Sequence, residues 1–281
     1  MKIGISVGKS DYKIYELLKK SGFDCVDFDL SSTDTFFYTL SETEAQKLID
    51  NEKKESELCG VEINQVHGPW RWPAKDFLPE DRKERMEQMK KSIRFTARLG
   101  CENFVIHPIM PFGCNEIDKP EAKKTYDMNL EFMRELLTEA KKNNVVICLE
   151  NMPMIEFSLS KPSDILRFVK EIDDPNFKIC LDTGHVGVFD DLSVGNAVRE
   201  LGKEIRVLHV HDSKYQFDLH LPPFYGRVDW EDFMKALSEI EYAGVFSLET
   251  GVFAGDRESR EITYKYLADI AKYLTNKTNI C

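Results

Sequence analysis

Short apolar runs rich in β-branched residues alternate with longer stretches of helical period along the chain. KIGISV (2–7), DCVDFDL (24–30), VEINQVH (61–67) and NFVIHP (103–108) read as strands. So do VVICLE (145–150), FKICLD (177–182), IRVLHVH (205–211) and VFSLET (245–250). Between 80 and 99, Met86, Met89, Ile93 and Ala97 recur at three- and four-residue steps. Tyr126, Leu130, Met133 and Leu137 do the same between 120 and 142, and both stretches predict amphipathic helices. Ser41 followed by Glu44 predicts a capping box, and Gly22, Gly60 and Gly100 end helices ahead of the next strand.

Eight strands each followed by a helix predict an α/β fold of (β/α)8 barrel type. A doubly wound open sheet also alternates in this way, but it gathers its polar groups at one switch point. Here polar groups close strands all along the chain, and the length of 281 residues is near that of a barrel. No linker or low-complexity tract divides residues 1–281, so one domain is expected.

Strand C-termini share one face of a barrel, and the polar residues there are unusual in type. All six histidines fall at or just after an apolar run: His67, His107, His185, His209, His211 and His220. Glu150, Asp182 and Glu249 end three further runs or lie beside them. Side chains alternate along a strand, so His209 and His211 are expected to point the same way, toward the barrel axis. Glu150, Asp182, one of these two histidines and Glu249 would close four successive strands. Three carboxylates and an imidazole suit a divalent ion such as Zn2+, Mn2+, Co2+ or Mg2+. Taken singly, each is as well explained as a helix N-cap or a satisfied polar group; the grouping is what points to a metal. Trp70 and Trp72, in the loop after His67, present aromatic faces suited to the apolar side of a sugar. Arg71 and Lys214 are candidate contacts for a substrate phosphate or carboxylate.

Composition narrows the function classes. The chain is 42% hydrophobic and 31% charged, enough for a full core, and carries a net charge of −11. An acidic balance argues against nonspecific nucleic-acid binding. No apolar stretch has the length of a signal peptide's core or a membrane helix. The seven cysteines include no CxxC pair and read as reduced thiols of a cytoplasmic protein, not as zinc ligands. Nothing in the sequence calls for an organic cofactor.

DTGH at 182–185, LHVHDS at 208–213 and LET at 248–250 resemble the xylose-isomerase-like TIM-barrel superfamily. The resemblance runs from His67 to Glu249. That group contains sugar and sugar-phosphate isomerases and epimerases, together with zinc-dependent apurinic endonucleases. For the isomerases and epimerases it implies Glu150, Asp182, His209 and Glu249 as ligands of a single metal ion. His209 is preferred to His211 because the family's ligand histidine stands three residues before an acid, here Asp212. His185, three after Asp182, implies a substrate contact, and Glu156 and His211 join Trp70, Arg71 and Lys214 as candidate substrate residues. A fuller pattern also fits. His67, His107, Glu150, Asp182, His185, His209, Asp218, His220 and Glu249 match, in order and type, the nine ligands of the trinuclear zinc endonucleases. Asp218 and His220, the DxH pair of FDLHLPP, are its distinctive element. Two stretches depart from the relatives: GPWRWPAKD lacks the endonucleases' DNA-penetrating residues, and Phe224-Tyr225 stands where a second glycine-containing turn is usual.

The resemblance therefore implies two chemistries. In an isomerase or epimerase, Glu150 or Glu249 removes the proton alpha to a carbonyl and the other glutamate returns one. In a phosphoester hydrolase, several zinc ions activate hydroxide and both glutamates are held as ligands. Glu150, Asp182, Asp218 and Glu249 carry four negative charges, so one divalent ion leaves −2 and three leave +2. The first balance repels phosphate and the second welcomes it. A barrel that binds sugar without turning it over, and lyase-type sugar chemistry, are lesser readings. The isomerase or epimerase is the expected function, on a small-molecule sugar or sugar phosphate, with no nucleic-acid or membrane partner. Family analogy suggests a homodimer.

Overall fold

The computed structural model describes residues 1–7, 14–30, 40–70, 76–251 and 255–277. Arg71 and Trp72 lie outside the described residues. The strands are β1 (Ile3–Val7), β2 (Cys25–Asp29), β3 (Glu62–His67), β4 (Asn103–Ile106) and β5 (Val146–Glu150). They continue with β6 (Phe177–Asp182), β7 (Ile205–His209), β8 (Asp212–Lys214), β9 (Phe217–Leu221) and β10 (Phe246–Leu248). The helices are α1 (Ile14–Ser21), α2 (Glu42–Cys59), α3 (Pro79–Leu99), α4 (Glu121–Lys142) and α5 (Pro162–Ile172). After them come α6 (Thr183–Gly187), α7 (Val194–Leu201), α8 (Trp230–Glu239) and α9 (Arg257–Lys277).

The sheet order is β10-β1-β2-β3-β4-β5-β6-β7, and every neighbouring pair is parallel. The ends meet. Val210 N–H donates to Ser247 O at 2.8 Å, and Glu249 N–H donates to Val210 O at 3.0 Å. That closure makes the sheet a barrel and excludes the open doubly wound alternative.

The predicted local signals hold. The capping box forms at Ser41 and Glu44. α2 and α3 end at Gly60 (φ 63°) and Gly100 (φ 81°), left-handed positions where a Cβ is strained. Met86, Met89 and Ile93 of α3 are buried, as are Leu130, Met133 and Leu137 of α4, while Ala97 and Tyr126 are half-buried at the stripe edge. Each large apolar side chain so buried contributes about 1.5–3 kcal/mol.

One strand boundary differs. In the run 205–211 the regular strand ends at His209, and Val210 is kept beside β10 by a single bridge to Leu248. The chain then peels away, and Asp212–Lys214 and Phe217–Leu221 pair as an antiparallel hairpin. The turn uses Gln216 at φ 64°. This hairpin carries Asp218 and His220.

Inside the barrel, Val105, Cys148, Cys180 and Val207 form a small apolar cluster separate from the main core. Each lies two residues before a site residue: His107, Glu150, Asp182 and His209. The period of two in these strands places a ring of apolar side chains directly beneath a ring of polar ones. The six cysteines among the described residues are unpaired. Among the described residues no helix is long and apolar enough to cross a membrane.

Candidate metal centre

The ring of polar residues at the strand C-termini sorts into three adjoining ligand groups, each with its donor atoms within 4.8 Å of one another. The central group is Glu150, Asp182, His209 and Glu249. His67, His107 and Glu150 form the second, and His185, His211, Asp218 and His220 the third. Glu150, at the end of β5, joins the first two. Its Oε1 lies 3.0 Å from His209 Nδ1, and its Oε2 lies 3.0 Å from His107 Nε2 and 3.4 Å from His67 Nε2. Glu249 Oε2 also lies 3.0 Å from His209 Nδ1. Asp218 Oδ2 is 3.4 Å from His185 Nε2 and 3.3 Å from His220 Nε2. A further grouping of Glu150 and His209 includes Cys180, from the apolar layer below.

Backbone carbonyls fix most of these rings. His67 Nδ1 is 2.9 Å from Gly68 O, His185 Nδ1 is 2.7 Å from Asn151 O, and His220 Nδ1 is 2.9 Å from Glu249 O. A carbonyl only accepts, so each Nδ1 carries a hydrogen and each Nε2 is the nitrogen that faces the cluster. Ring nitrogens held from outside in this way are the usual setting of metal-bound histidine. Asn151 also clamps β6, donating from Nδ2 to Asp182 O at 3.1 Å and accepting Asp182 N–H at 2.8 Å. Asp182 in turn caps α6, accepting the His185 N–H at 2.6 Å.

The residues fit a cation. Asp218 Oδ1, in the third group, is a buried oxygen with no hydrogen-bond partner among the described residues, and Glu249 Oε2, in the central group, has the His209 ring as its neighbour at 3.0 Å. Buried carboxylates without donors are costly unless a proton or a metal ion neutralises them. Protons do this in the metal-free protein. Burial works against charge on His67 and His220, but Glu150 beside the first and Asp218 beside the second push both up to about 9. Burial likewise opposes charge on His185 and His209, and their carboxylate neighbours hold both well above the usual range. His107 goes the other way, and burial takes it down to about 4. Burial alone would raise the Glu150 and Glu249 carboxyls; the His209 charge outweighs it and holds both well below the carboxylate range.

Above the groups opens a cavity of about 460 Å³. Its wall includes Trp70, Met152 and Met154 on an apolar side, and Asp29, Gln216 and Glu249 among its polar groups. Trp70 packs edge-on against His107 with ring centroids 4.3 Å apart. Behind it, buried Arg85 lies 5.9 Å over the Trp70 ring, pairs with Asp76 at 2.6 Å and donates to His107 O at 2.9 Å. A cavity of similar size, about 450 Å³, lies at the opposite end of the barrel among Asn103, Arg206 and Tyr242, away from the ligand groups.

The structure brings all nine residues of the fuller pattern together. The candidate substrate residues are more dispersed. Trp70 and His185 line the cavity. His211 is fully buried behind it, with Nε2 3.0 Å from Asp182 Oδ2. His211 leaves the axis because the strand ends at His209, so the two histidines enter different groups. Glu156 is exposed on the loop after β5, where its carbonyl accepts the Glu116 and Ile117 N–H groups. Lys214 is exposed on β8, and neither Glu156 nor Lys214 is on the cavity wall. Asp212 is a scaffold: it accepts from Ser213 N, Val228 N and Trp230 Nε1 at 2.9, 3.1 and 3.0 Å. Asp27, Asp29 and Gln65 are absent from the sequence reading. Their signal is the alternation of acids in DCVDFDL and of polar residues in VEINQVH, which puts Asp27 with Asp29, and Gln65 with His67, on one strand face each.

The family model for the xylose isomerase-like TIM barrel matches residues 15–267. The chain belongs to that family. A D-psicose 3-epimerase of Ruminiclostridium cellulolyticum is 26% identical over 259 residues, 88% of this chain and 80% of that protein. Among solved structures, the D-psicose 3-epimerase with D-tagatose from Clostridium cellulolyticum H10 superposes with a TM-score of 0.77, at 22% identity, over 98% of this chain and 99% of that one. The IolI protein with a bound zinc atom gives 0.72, at 18% identity, over 99% and 98%. At these identities the superpositions establish a shared fold.

Proposed function

We propose that this family member is a divalent-metal-dependent epimerase or isomerase of a sugar or sugar phosphate. The observation that carries it is the central group: Glu150 and Glu249 converge on His209 Nδ1 at 3.0 Å each, from β5 and from the segment after β10, with Asp182 beside them. Two glutamates on either side of one ion position supply a proton acceptor and a proton donor within reach of one substrate carbon. A relative named as a D-psicose 3-epimerase adds support for the substrate class.

A divalent ion, which Glu150, Asp182, His209 and Glu249 would hold, would supply Lewis-acid stabilisation of negative charge developing on the substrate's oxygens. The chain's own residues do the rest. Trp70, Met152 and Met154 take the C–H face of the sugar, and Gln216 and Asp29 stand where hydroxyls need partners. Glu249 has 21% of its side chain exposed against 1% for Glu150, so it is the accessible base for the proton on the carbon next to the carbonyl. Glu150, recharged with a proton from solvent, passes it to the substrate, and Glu249 gives the abstracted proton up to solvent. Return to the opposite face of the same carbon inverts that centre; return to the neighbouring carbon moves the carbonyl.

The second and third ligand groups favour another reading, a multi-zinc phosphoester hydrolase, because one ion leaves them unused. Three divalent ions would turn the local charge positive and tie both glutamates to metal. A paired assay separates the readings. The protein, loaded with Mn2+, Co2+ or Zn2+, is given free ketoses, aldoses and their phosphates, and in parallel an abasic-site duplex and a simple phosphodiester. Conversion of a sugar with both phosphoesters intact is the expected result. Phosphoester cleavage without sugar turnover would reverse the assignment.

A further inference from the structure

His209 differs from the other ligand histidines in which nitrogen it offers. His67, His185 and His220 have Nδ1 against a backbone carbonyl and present Nε2 to the cluster. His209 presents Nδ1, and its Nε2 points down into the barrel, where no carbonyl is paired with it. The group found there is Asp27, with Oδ2 at 2.8 Å. Asp27 is 1% exposed, His209 is fully buried, and Gln65 Nε2 donates to the same Oδ2 at 3.1 Å while also reaching Leu208 O at 3.3 Å.

The sheet register explains why an acid stands at this depth. Between β2 and β3 the pairing steps from Val26↔Ile63 to Asp27↔Gln65, leaving Asn64 as an extra residue. Such a bulge re-aims the side chains beyond it. Asp27 and Gln65 pair as direct neighbours one layer below Asp29 and His67, and both are fully or almost fully buried. A carboxylate has no place in that layer on packing grounds.

We infer that Asp27, gripped by Gln65, is the positioning residue that keeps the hydrogen of His209 on Nε2 and so reserves Nδ1 for the metal. The inference rests on the metal-dependent reading of the central group. A carboxylate only accepts, so a lone pair on Nε2 facing Asp27 Oδ2 at 2.8 Å would be repelled, while an N–H is attracted. Carboxylates that hold the remote nitrogen of a ligand histidine typically set metal affinity by about 10–100-fold. Asp27 is not on the cavity wall and the ligand it faces at 2.8 Å is His209, through which its effect runs.

The test measures zinc affinity by chelator competition, with the visible spectrum of the Co2+ form as a second readout, on wild type, Asp27→Asn and Asp27→Ala. Unfolding midpoints of the metal-free proteins are followed in parallel. Asp27→Ala is expected to lose about 10–100-fold in affinity and to shift the Co2+ bands. Asp27→Asn, which keeps an acceptor oxygen of the same size, is expected to lose less. Variants that fold and bind zinc as wild type does, with an unchanged Co2+ spectrum, would overturn the inference even if their unfolding midpoints fall. A wild-type protein that takes up no metal would overturn both this inference and the metal-dependent reading beneath it.

Discussion

Glu150 is the residue on which the site turns, since among the described residues it is the one shared by the central group and the His67–His107 group. Glu150→Gln keeps its shape and removes its charge. Turnover is expected to fall by about 10²–10⁴-fold, the usual worth of a positioned acid or base, with metal occupancy falling as well. Glu249→Gln should lose a similar factor in kcat, and both are read from steady-state kinetics alongside metal analysis. Metal uptake should also be pH-dependent. His67 and His220, at about 9 in the metal-free protein, are protonated at neutral pH and must release those protons to bind an ion. Zinc affinity is therefore expected to rise with pH up to about 9, and calorimetry in buffers of different ionisation enthalpy should show proton release. Gly184 tests packing behind the site. A Cβ there would run into the His211 ring. Gly184→Ala should cost about 1–3 kcal/mol in a denaturant titration and displace His211 from Asp182. At this scale the sequence was informative where chemistry and strand ends coincide, as at His67, Glu150 and Asp182. It put Asp27 on the face of Asp29 but gave it no role, because its partner Gln65 is brought opposite it only by the bulge at Asn64 in β3.

The strands and long helices were legible because their periods persist over many residues, as in Phe177–Asp182 and Glu121–Lys142. Ends were less so. IRVLHVH continues to alternate past His209, yet Val210 is claimed by the closing contacts to Ser247 and Glu249. Those contacts are long-range and leave no mark on local pattern. The β8–β9 hairpin was not legible either: Asp218 and His220 were recognisable as a pair, but their delivery to the third group depends on a positive φ at Gln216, which composition does not announce. Asp212 anchors this hairpin to the start of α8. Asp212→Ala strips acceptors from three donors, each costing about 1–3 kcal/mol if left buried and unpaired. The expected outcome is a loss of about 3 kcal/mol or more in equilibrium unfolding, and poorer ligation by Asp218 and His220 in whatever folds.

For the whole molecule, the barrel follows from counting strand–helix units, and its closure from eight strands whose polar ends need one shared face. The cluster of buried acids and imidazoles is an electrostatic burden that protons relieve in part and a metal ion relieves better. Binding to the folded chain should therefore stabilise the barrel by mass action, by about 2.7 kcal/mol when free metal is a hundredfold above Kd. The thermal midpoint is expected to rise with added Zn2+ or Mn2+ and to fall on chelation. The identity of the sugar was not legible, because hydroxyl stereochemistry is read by rim contacts from several loops and Arg71 and Trp72 lie outside the described residues. The most direct measurement of the central claim is solvent exchange during turnover: metal-loaded protein incubated with free ketoses in D2O, followed by NMR of recovered substrate and product. Proton abstraction and return by Glu249 and Glu150 predict deuterium at the carbon next to the carbonyl, accumulating with turnover and absent from the Glu249→Gln variant. Turnover with that proton fully retained would point to a hydride shift and contradict the assigned roles of the two glutamates, and no conversion of any sugar by the metal-loaded protein would contradict the function itself.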